Sequence, residues 1–500
     1  MKASIKYVAG SFIWSSIAKI LNAVLKFISI PLLLTYFGKE NYGLIALAIS
    51  TNAYMQMLNM GMNTGAVKFF AQWISVKDYE RINRVVRTNI TVYLGLGIIS
   101  CIALLLLAWK GDSVFKITPE EFSTLRYLLY ILAGVSIINW TSFVFDQLLI
   151  ADEKMAFTQQ VLSVRNILNL VMVLLTIHFK WSIIQYFLYD SIVSMLVIVP
   201  FYVVSKNNNL IRSIIPGFYW KDFSVVFKYS LAIFAMGIFQ FTATQSRPLV
   251  LGIFSNQGAS ILADYRVVEV FPLFIISIGG MLISILLPKT SQAIQQNNRK
   301  LIEKMAYEGT KYTSILVALL CFPILLNSKE LLTLYVGDSY SHLSIWLSLW
   351  VFTLTLFLHN SPVSSLVLAT GKTRMLVFSS AISCIISIVV NAILCTRFGV
   401  GSAVIGYLVY IIIQMSFYYF YFNNKILGLD SFKVFKSFII PTVIGFLLFF
   451  LVVIIQINIS SIILMIMFKS IIWFLLYFMA LIVFKIIDIK YLLKSINNHS

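Results

Sequence analysis

The sequence predicts an all-α integral membrane protein of about fourteen transmembrane helices. Of its 500 residues, 60% are hydrophobic and only 11% are charged. Apolar stretches of about 20 residues, long enough to cross a bilayer as a helix, recur along the whole chain. The longest interval without one, from Lys206 to Tyr229, is too short to fold as a soluble domain. A soluble catalytic domain is therefore excluded, and the protein is not expected to be an enzyme.

Hydropathy places the spans in order along the chain. The basic and apolar N-terminus is interrupted by Lys19 and Lys26, and no small-residue cleavage site follows. It is therefore interpreted as a retained first helix and not as a signal peptide. The predicted spans cover residues about 7–36, 41–66, 88–109, 127–150, 159–179, 182–204, 231–254, 259–288, 313–328, 342–368, 375–395, 400–422, 437–457 and 461–484.

The distribution of basic residues predicts the orientation. The chain has 38 Lys and Arg against 19 Asp and Glu, and basic residues in short loops stay on the cytoplasmic side. An even number of spans puts both termini on one side. If that side is the cytoplasm, most bases lie inside, from Lys2 to the tail with Lys485 and Lys494. The few in outer loops are Lys39, Lys110, Lys116, Arg126, Lys180, Lys329 and Arg397.

An internal repeat organises the spans into two halves. The segment from Leu148 to Lys154 aligns without gaps with the segment from Leu366 to Lys372, an offset of about 218 residues. Each half holds six spans, so the two six-helix bundles are expected to be related by a pseudo-twofold axis along the membrane normal. The predicted units are an N-terminal bundle at 1–218, a C-terminal bundle at 219–436, and two additional helices with a cytoplasmic tail at 437–500.

The first two helices of each half carry polar side chains at bilayer depth. In the first helix these residues are spaced by four, three and four, so they share one face. The second helix repeats this spacing, the seventh has spacings of four and three, and the eighth carries its charged residues within six positions. In chain order the residues are Ser15, Lys19, Asn22, Lys26, Asn52, Gln56, Asn59, Asn63, Gln240, Thr244, Arg247, Asp264, Arg266 and Glu269.

The bases among them indicate the chemistry of the cargo. A Lys or Arg at the bilayer centre costs roughly 2.5 to 3.5 kcal/mol, so Lys19, Lys26, Arg247 and Arg266 are expected to face water or a partner. Arg266 and Glu269 can partly neutralise each other, whereas the two lysines have no acid on their own helix. A basic, hydrated cavity between the halves implies an anionic cargo, most simply a phosphate or diphosphate.

Structural alternatives remain open for several of these residues. Lys26 could extend to the outer interface, and Lys469 in the last helix is expected to do so. Arg266 and Glu269 could form a purely structural pair.

Other buried polar residues have similar alternatives. Asp146 and Asp190 could accept a coupling proton or pair with a neighbouring helix. His359 is more often a packing residue than a proton relay.

No cofactor or metal is expected. The sequence Gly371-Lys372-Thr373 resembles the end of a phosphate-binding loop, but the position five before Gly371 is Leu366 and the segment joins two spans. Clusters of His and Cys with metal-ligand spacing are absent from the sequence. The four cysteines fall inside apolar runs, where they are expected to be small buried residues.

Short motifs at the turns resemble those of a known family. They are Pro31 with Phe37-Gly38 and Tyr42-Gly43, the sequence from Leu58 to Gly61 with Lys68, and the paired turns 151–154 and 369–372. On these motifs the chain resembles the polysaccharide exporters that include O-antigen (Wzx-type) flippases. Their superfamily also holds multidrug and toxin extruders and the peptidoglycan lipid flippase. Asn59 stands where relatives commonly carry an acid.

The resemblance implies a function. It implies a bacterial inner-membrane flippase that moves an undecaprenyl-diphosphate-linked oligosaccharide, such as an O-antigen repeat unit of lipopolysaccharide, to the periplasmic leaflet by ion-coupled alternating access. Lys19, Lys26, Arg247 and Arg266 would bind the diphosphate. The amides of the substrate site would be Asn22, Asn52, Gln56, Asn59 and Gln240. Glu269 or Asp264 would carry H⁺ or Na⁺. Membrane lipid and other polysaccharide-assembly membrane proteins are the expected partners, and nucleic acid is not.

Two other classes are considered. A multidrug or cation antiporter of the same superfamily should favour acids in the cavity, whereas mid-span bases outnumber acids here. A multispan glycan polymerase would need acids or Arg on a sizeable outer loop, and the outer loops of this chain are short.

Overall fold

The computed structural model describes residues 2–372, 374–455 and 461–487. Every regular element within these ranges is a helix, which confirms the all-α prediction. Thr373 of the loop considered above lies outside the described residues. So does the end of the predicted cytoplasmic tail, including Lys494.

The described ranges contain seventeen α-helices, connected mostly by short turns. The 3₁₀ turn Gln56–Leu58 separates the first two, and a π-helical segment, Tyr418–Ile426, extends α15. In chain order the helices are α1 Lys2–Met55, α2 Asn59–Ser75, α3 Tyr79–Lys110, α4 Pro119–Ala151, α5 Met155–Phe179, α6 Ile183–Met195, α7 Ile198–Asn207, α8 Trp220–Phe254, α9 Ser260–Gln295, α10 Arg299–Leu326, α11 Ser328–Val336, α12 Ser344–Leu358, α13 Ser361–Ala369, α14 Arg374–Phe398, α15 Val400–Phe417, α16 Ser431–Ile454 and α17 Ile462–Val483.

The predicted number of fourteen spans is not confirmed. Within the described residues, eleven helices are long and apolar enough to cross a membrane, or up to twelve if the bent pair Trp220–Ala235 and Gly237–Phe254 is one span. Two predicted spans, at 7–36 and 41–66, fall within one candidate span, Ile13–Met55, the bent pair corresponds to the span predicted at 231–254, and α9 is not among the eleven. α1 consists of two helical segments joined at a kink at Gly38, with φ 79° and ψ 170°, and this kink coincides with the loop predicted between the first two spans. The tenth predicted span is divided between α12 and α13.

Side-chain caps fix several helix starts. The hydroxyl of Thr118 accepts a hydrogen bond from the backbone N–H of Glu121, whose carboxylate accepts one from the backbone N–H of Thr118. Ser182 and Gln185 form the same reciprocal pair at the start of α6. Each such cap contributes about 1 kcal/mol because it satisfies backbone N–H groups that have no partner within the helix.

The first of two compact units consists of Met1–Val270 together with Leu376–Gly406. Its core lies between α2, α3, α4 and α8 and includes the fully buried rings of Phe70, Tyr93, Trp140 and Phe223. The units expected from the repeat, 1–218 and 219–436, stay a prediction.

Two glycines in this unit allow α2 and α8 to make backbone contact. A Cβ at Gly61 would lie 2.5 Å from the carbonyl oxygen of Ser230, and one at Gly65 would lie 2.0 Å from the Ser230 hydroxyl. The two glycines are four residues apart and therefore lie on one helix face. Small residues at this spacing are typical of closely packed helices in membranes.

The second compact unit consists of Phe271–Met375 together with Tyr407–Ser500. Trp473 of α17 stacks on Phe322 of α10, and its indole N–H donates to the carbonyl of Gly445 in α16. Lys469, expected to extend alone to the interface, forms an ion pair of 2.7 Å with Glu330 of α11. These contacts attach the last two helices to the rest of this unit.

His359 of the second unit is a buried packing residue. Its ring stacks on Phe438 with 3.8 Å between centroids, and its Nε2 lies 3.0 Å from the hydroxyl of Tyr419. His359 therefore has the packing role, which was the first of the two alternatives considered for it.

Candidate functional site

The first helix exposes two opposite faces in its N-terminal half. Ile17, Ile20 and Val24 are exposed on one face. Lys19 and Lys26 are also exposed, and at about 100° per residue they point nearly the opposite way. Only the apolar face suits lipid, since a charged side chain in lipid is costly. The lysine face is therefore the one suited to a hydrated space.

Lys26 lies within electrostatic range of three charged residues from two other helices. These are Arg165 of α5 and Arg266 and Glu269 of α9. The two guanidinium groups repel the ammonium group and the carboxylate attracts it. The group therefore has three bases against one acid, or against two when Asp190 beside Arg165 is included, and it carries a net positive charge. Such a surplus favours an additional anion.

Arg266 is held in place by two contacts. One of its terminal nitrogens pairs with the carboxylate of Glu269, three residues later on α9. The other donates a hydrogen bond of 2.7 Å to the hydroxyl of Ser50 on α1. The sequence predicted the pair with Glu269 but not the contact with Ser50. Because planar guanidinium groups bind phosphate in defined directions, fixing this plane orients a potential anion site.

Arg165 and Asp190 extend the charged group to α5 and α6. Arg165 interacts electrostatically with Asp190 and donates a hydrogen bond of 3.0 Å to the side-chain oxygen of Asn166. Sequence reasoning did not identify Arg165 as a site residue. Its position several residues inside the span predicted at 159–179 was the available signal.

Asp264 pairs with Lys39 of α1. The distance from the lysine nitrogen to the carboxylate oxygen is 2.8 Å, and the Asp264 side chain is 7% exposed. Lys39 was assigned to the first outer loop, but the structure places it one residue after Gly38 in α1. The predicted ion-coupling residue therefore faces a fixed cation.

Arg247 of α8 is buried, with 6% of its surface exposed. Its Nε donates a hydrogen bond of 3.0 Å to the carbonyl of Ala243, one turn earlier, and the guanidinium interacts electrostatically with Tyr265. It thus differs from Lys19 and Lys26, which are exposed.

The predicted amide side chains occupy different environments. Asn22, Asn52 and Gln56 are partly exposed, and Gln240 is exposed. Asn59 instead accepts a hydrogen bond of 2.6 Å from the hydroxyl of Tyr93.

Asn59 is the end of a buried hydrogen-bond chain. The amide of Gln147 donates to Tyr93, and that of Asn89 donates to Gln147, at 2.6 and 2.8 Å. This series of hydrogen bonds joins α2, α3 and α4. Asn59 therefore has a structural contact, whatever else it binds.

Within the part of the chain that the structure describes, no group of three or more His, Cys, Asp or Glu side chains could hold a metal ion. The site thus contains guanidinium, ammonium, carboxylate and amide groups. Such groups bind anions and polar oxygens through charge-assisted hydrogen bonds.

The fold is shared with several membrane proteins of known structure. The chain is similar to the lipid II flippase MurJ in an inward closed conformation, with a TM-score of 0.74 and 14% identity over 95% of this chain and 99% of that one. It is also similar to an inward-facing multidrug resistance MATE transporter of the MOP superfamily, with a TM-score of 0.63 and 14% identity over 88% and 100%. A MOP superfamily transporter from Pyrococcus furiosus gives 0.54, with 16% identity over 86% and 94%.

Sequence similarity is more specific than the fold. Residues 8–294 match the profile of a family described as polysaccharide biosynthesis protein. This match covers more than half of the chain, so the protein belongs to that family. No curated protein sequence matches it.

Proposed function

We propose that this protein is a flippase for an undecaprenyl-diphosphate-linked oligosaccharide, such as an O-antigen repeat unit. The observation that carries the proposal is the excess of bases in the group formed by Lys26, Arg165 and Arg266 with the acids Glu269 and Asp190. A net positive group at membrane depth is costly unless an anion offsets it. The diphosphate of a lipid-linked sugar is an anion that reaches this depth while its tail stays in the bilayer.

The role proposed for each base and amide follows from how exposed its side chain is. Lys19 and Lys26 lie on the polar, exposed face of α1 and would contact the diphosphate first. Arg266, held by Glu269 and Ser50, would provide a fixed guanidinium plane. Arg247 would act from its buried position as a source of positive potential. The partly exposed amides Asn22, Asn52 and Gln56, with Gln240 and the N–H groups of Asn59, would bind sugar hydroxyls.

Ion coupling is assigned to Glu269 and Asp264. Binding of a diphosphate at Arg266 would compete with Glu269 for the same guanidinium. A carboxylate released in this way could bind H⁺ or Na⁺. Asp264 would respond similarly if Lys39 moved away during alternating access. The return of the ion would then restore both ion pairs.

The remaining predictions agree with this proposal. The protein would lie in the bacterial inner membrane with both termini in the cytoplasm, and would work beside other membrane proteins of polysaccharide assembly. Two six-helix bundles at 1–218 and 219–436 would alternate their access around the site.

A multidrug or cation antiporter is the main alternative, because MATE transporters share the fold. The charge of the site is evidence against it, since an excess of bases repels a cationic drug. A glycan polymerase finds less support, because the named structural neighbours are a flippase and transporters.

The decisive experiment uses the purified full-length protein in proteoliposomes. The probe is a fluorescent polyprenyl-diphosphate disaccharide, and dithionite quenching measures its movement between leaflets. Protein-dependent movement that Lys26→Ala abolishes would support the proposal. Transport of a cationic dye without movement of the lipid would contradict it and favour the antiporter.

A further inference from the structure

The segment between α7 and α8 is rigidly attached to one side of α3. The side-chain oxygen of Asn83 accepts hydrogen bonds from the backbone N–H groups of Arg212 and Ser213. Arg87 donates to the carbonyl of Ile215 at 2.8 Å and to the hydroxyl of Tyr219 at 2.9 Å. The segment is therefore fixed, although it contains no helix.

The attachment continues into the apolar part of α3. The backbone N–H of Gly217 donates to the hydroxyl of Thr91 at 3.0 Å, and that of Tyr219 donates to Thr88 at 2.8 Å. From Asn83 to Thr91 the segment therefore follows α3 for about 12 Å. Thr88 and Thr91 belong to the apolar span predicted at 88–109. The segment thus lies at the depth where the span begins.

At this depth the segment exposes large apolar side chains. Ile215 and Phe218 are 66% and 67% exposed, and Ile214 and Trp220 are also exposed. The rings of Phe218 and Trp220 stack with an interplanar angle of 10°. Exposed apolar groups on a fixed backbone lose little conformational freedom on insertion, so their burial in lipid is favourable.

Basic residues border the apolar group. Lys206, Arg212 and Lys221 are exposed on either side of it. The nearby acid Asp222 is engaged by Arg84 at 2.8 Å and by Arg81 at 3.4 Å, so it does not cancel these charges. Apolar and aromatic side chains bordered by bases are typical of segments that lie in a membrane interface and attract anionic lipids.

We infer that residues 212–220 form an interfacial anchor. Ile214, Ile215, Phe218 and Trp220 insert into one leaflet, and Lys206, Arg212 and Lys221 bind the headgroups of anionic phospholipid there. The occupant is a lipid of the bilayer and not the transported cargo, because the anchor lies where the α3 span begins and combines exposed apolar side chains with bases, as segments of the membrane interface do. The inference does not rest on the proposed flippase activity.

The depth of the anchor can be measured directly. Phe218→Cys in a cysteine-free background is spin-labelled and reconstituted in phosphatidylcholine vesicles with and without phosphatidylglycerol. Asn207→Cys, exposed at the end of α7, is the matched control. Collisions with oxygen should dominate at position 218, and collisions with a water-soluble nickel complex should dominate at 207. Equal access of the nickel complex to both labels would overturn the inference, as would protection of 218 from both reagents, which indicates a protein partner.

The lipid preference has a separate test. Binding of phosphatidylglycerol and phosphatidylcholine to the delipidated full-length protein is compared for Arg212→Gln, Lys221→Gln and the double variant. A basic residue near an anionic surface contributes about 1 kcal/mol, which is about a fivefold change in affinity. We expect this loss for each substitution with phosphatidylglycerol and none with phosphatidylcholine. Lys110→Gln, at the other end of α3, is the control. An unchanged preference in the double variant would overturn the headgroup assignment.

Discussion

Lys39 of α1 and Asp264 of α9 form an ion pair of 2.8 Å immediately after the break at Gly38. Four residues further along α1, a Cβ at Gly43 would lie 1.9 Å from the carbonyl oxygen of Ala259. The second segment of α1 is therefore joined to the start of α9 by a charge pair and by backbone contact. Separating this segment of α1 from α9 would require the ion pair to break.

We predict that Lys39→Met lowers the free energy of unfolding by about 1 to 3 kcal/mol, because it leaves a buried carboxylate without this cation. The loss should be smaller than for a fully buried pair, since Lys39 is 33% exposed. The thermal midpoint in detergent measures the effect.

The same experiment includes two further variants. Adding Asp264→Leu to Lys39→Met should recover part of the stability, because no unpaired charge remains. Glu40→Gln, at the exposed neighbouring position, should change nothing. Equal midpoints for all variants would mean that the ion pair contributes nothing to stability.

Lys19→Ala and Arg247→Ala are expected to abolish surface polysaccharide while the protein still accumulates in the membrane. The reason is the loss of positive charge from the proposed diphosphate site. Complementation of a deletion strain, with staining of surface glycan and immunodetection of the protein, measures both. Full surface glycan in both variants would reject the assignment, and Lys110→Ala serves as an exposed control.

Arg165 is expected to contribute to anion binding. A charge-assisted hydrogen bond is worth about 1.5 to 3 kcal/mol, so Arg165→Ala should weaken binding of a polyprenyl diphosphate by roughly 10-fold to 150-fold. Arg165→Lys should retain part of the affinity, since it keeps the charge but loses the planar fork. Asp190→Asn should strengthen binding, because it removes the nearby negative charge. Equal affinities of all three variants would place Arg165 outside the site.

Tyr93→Phe is expected to lower the free energy of unfolding by about 1 to 3 kcal/mol. The substitution leaves a donor on Gln147 and an acceptor on Asn59 without their shared hydroxyl, in a buried place. The thermal midpoint should fall while binding of inorganic pyrophosphate is unchanged. A change of pyrophosphate affinity at constant stability would instead connect the hydrogen bonds of Tyr93 directly to the anion site.

The membrane fold followed from the sequence because hydropathy reports helix length and burial in lipid. The loop predicted between the first two spans coincides with the kink at Gly38, where α1 changes direction, and the polar residues Lys39 and Glu40 follow it directly. Hydropathy did not reveal the short interruption between α12 and α13, because it falls inside one long apolar stretch.

The candidate site was predictable where its residues share one helix. The spacing in α1 and the pair Arg266 with Glu269 could be derived from helical geometry alone. The contacts of Lys39, Ser50 and Arg165 join residues far apart in the sequence, so only the packing of α1, α5 and α9 reveals them. Asn59 was assigned to the sugar site. Its hydrogen bond with Tyr93 could not be predicted either, because the two residues lie on different helices.

The hydrogen bonds from Asn89 through Gln147 and Tyr93 to Asn59 all run in one direction. Each member donates to the next member in the direction of Asn59, so the oxygen of Asn59 accepts a hydrogen bond from Tyr93. These hydrogen bonds engage the side-chain oxygen of Asn59 and not its amide nitrogen. The hydrogen bonds inside the helix bundle thereby favour one role for Asn59. It can donate hydrogen bonds to a ligand's oxygen atoms more readily than it can accept hydrogen bonds from a ligand.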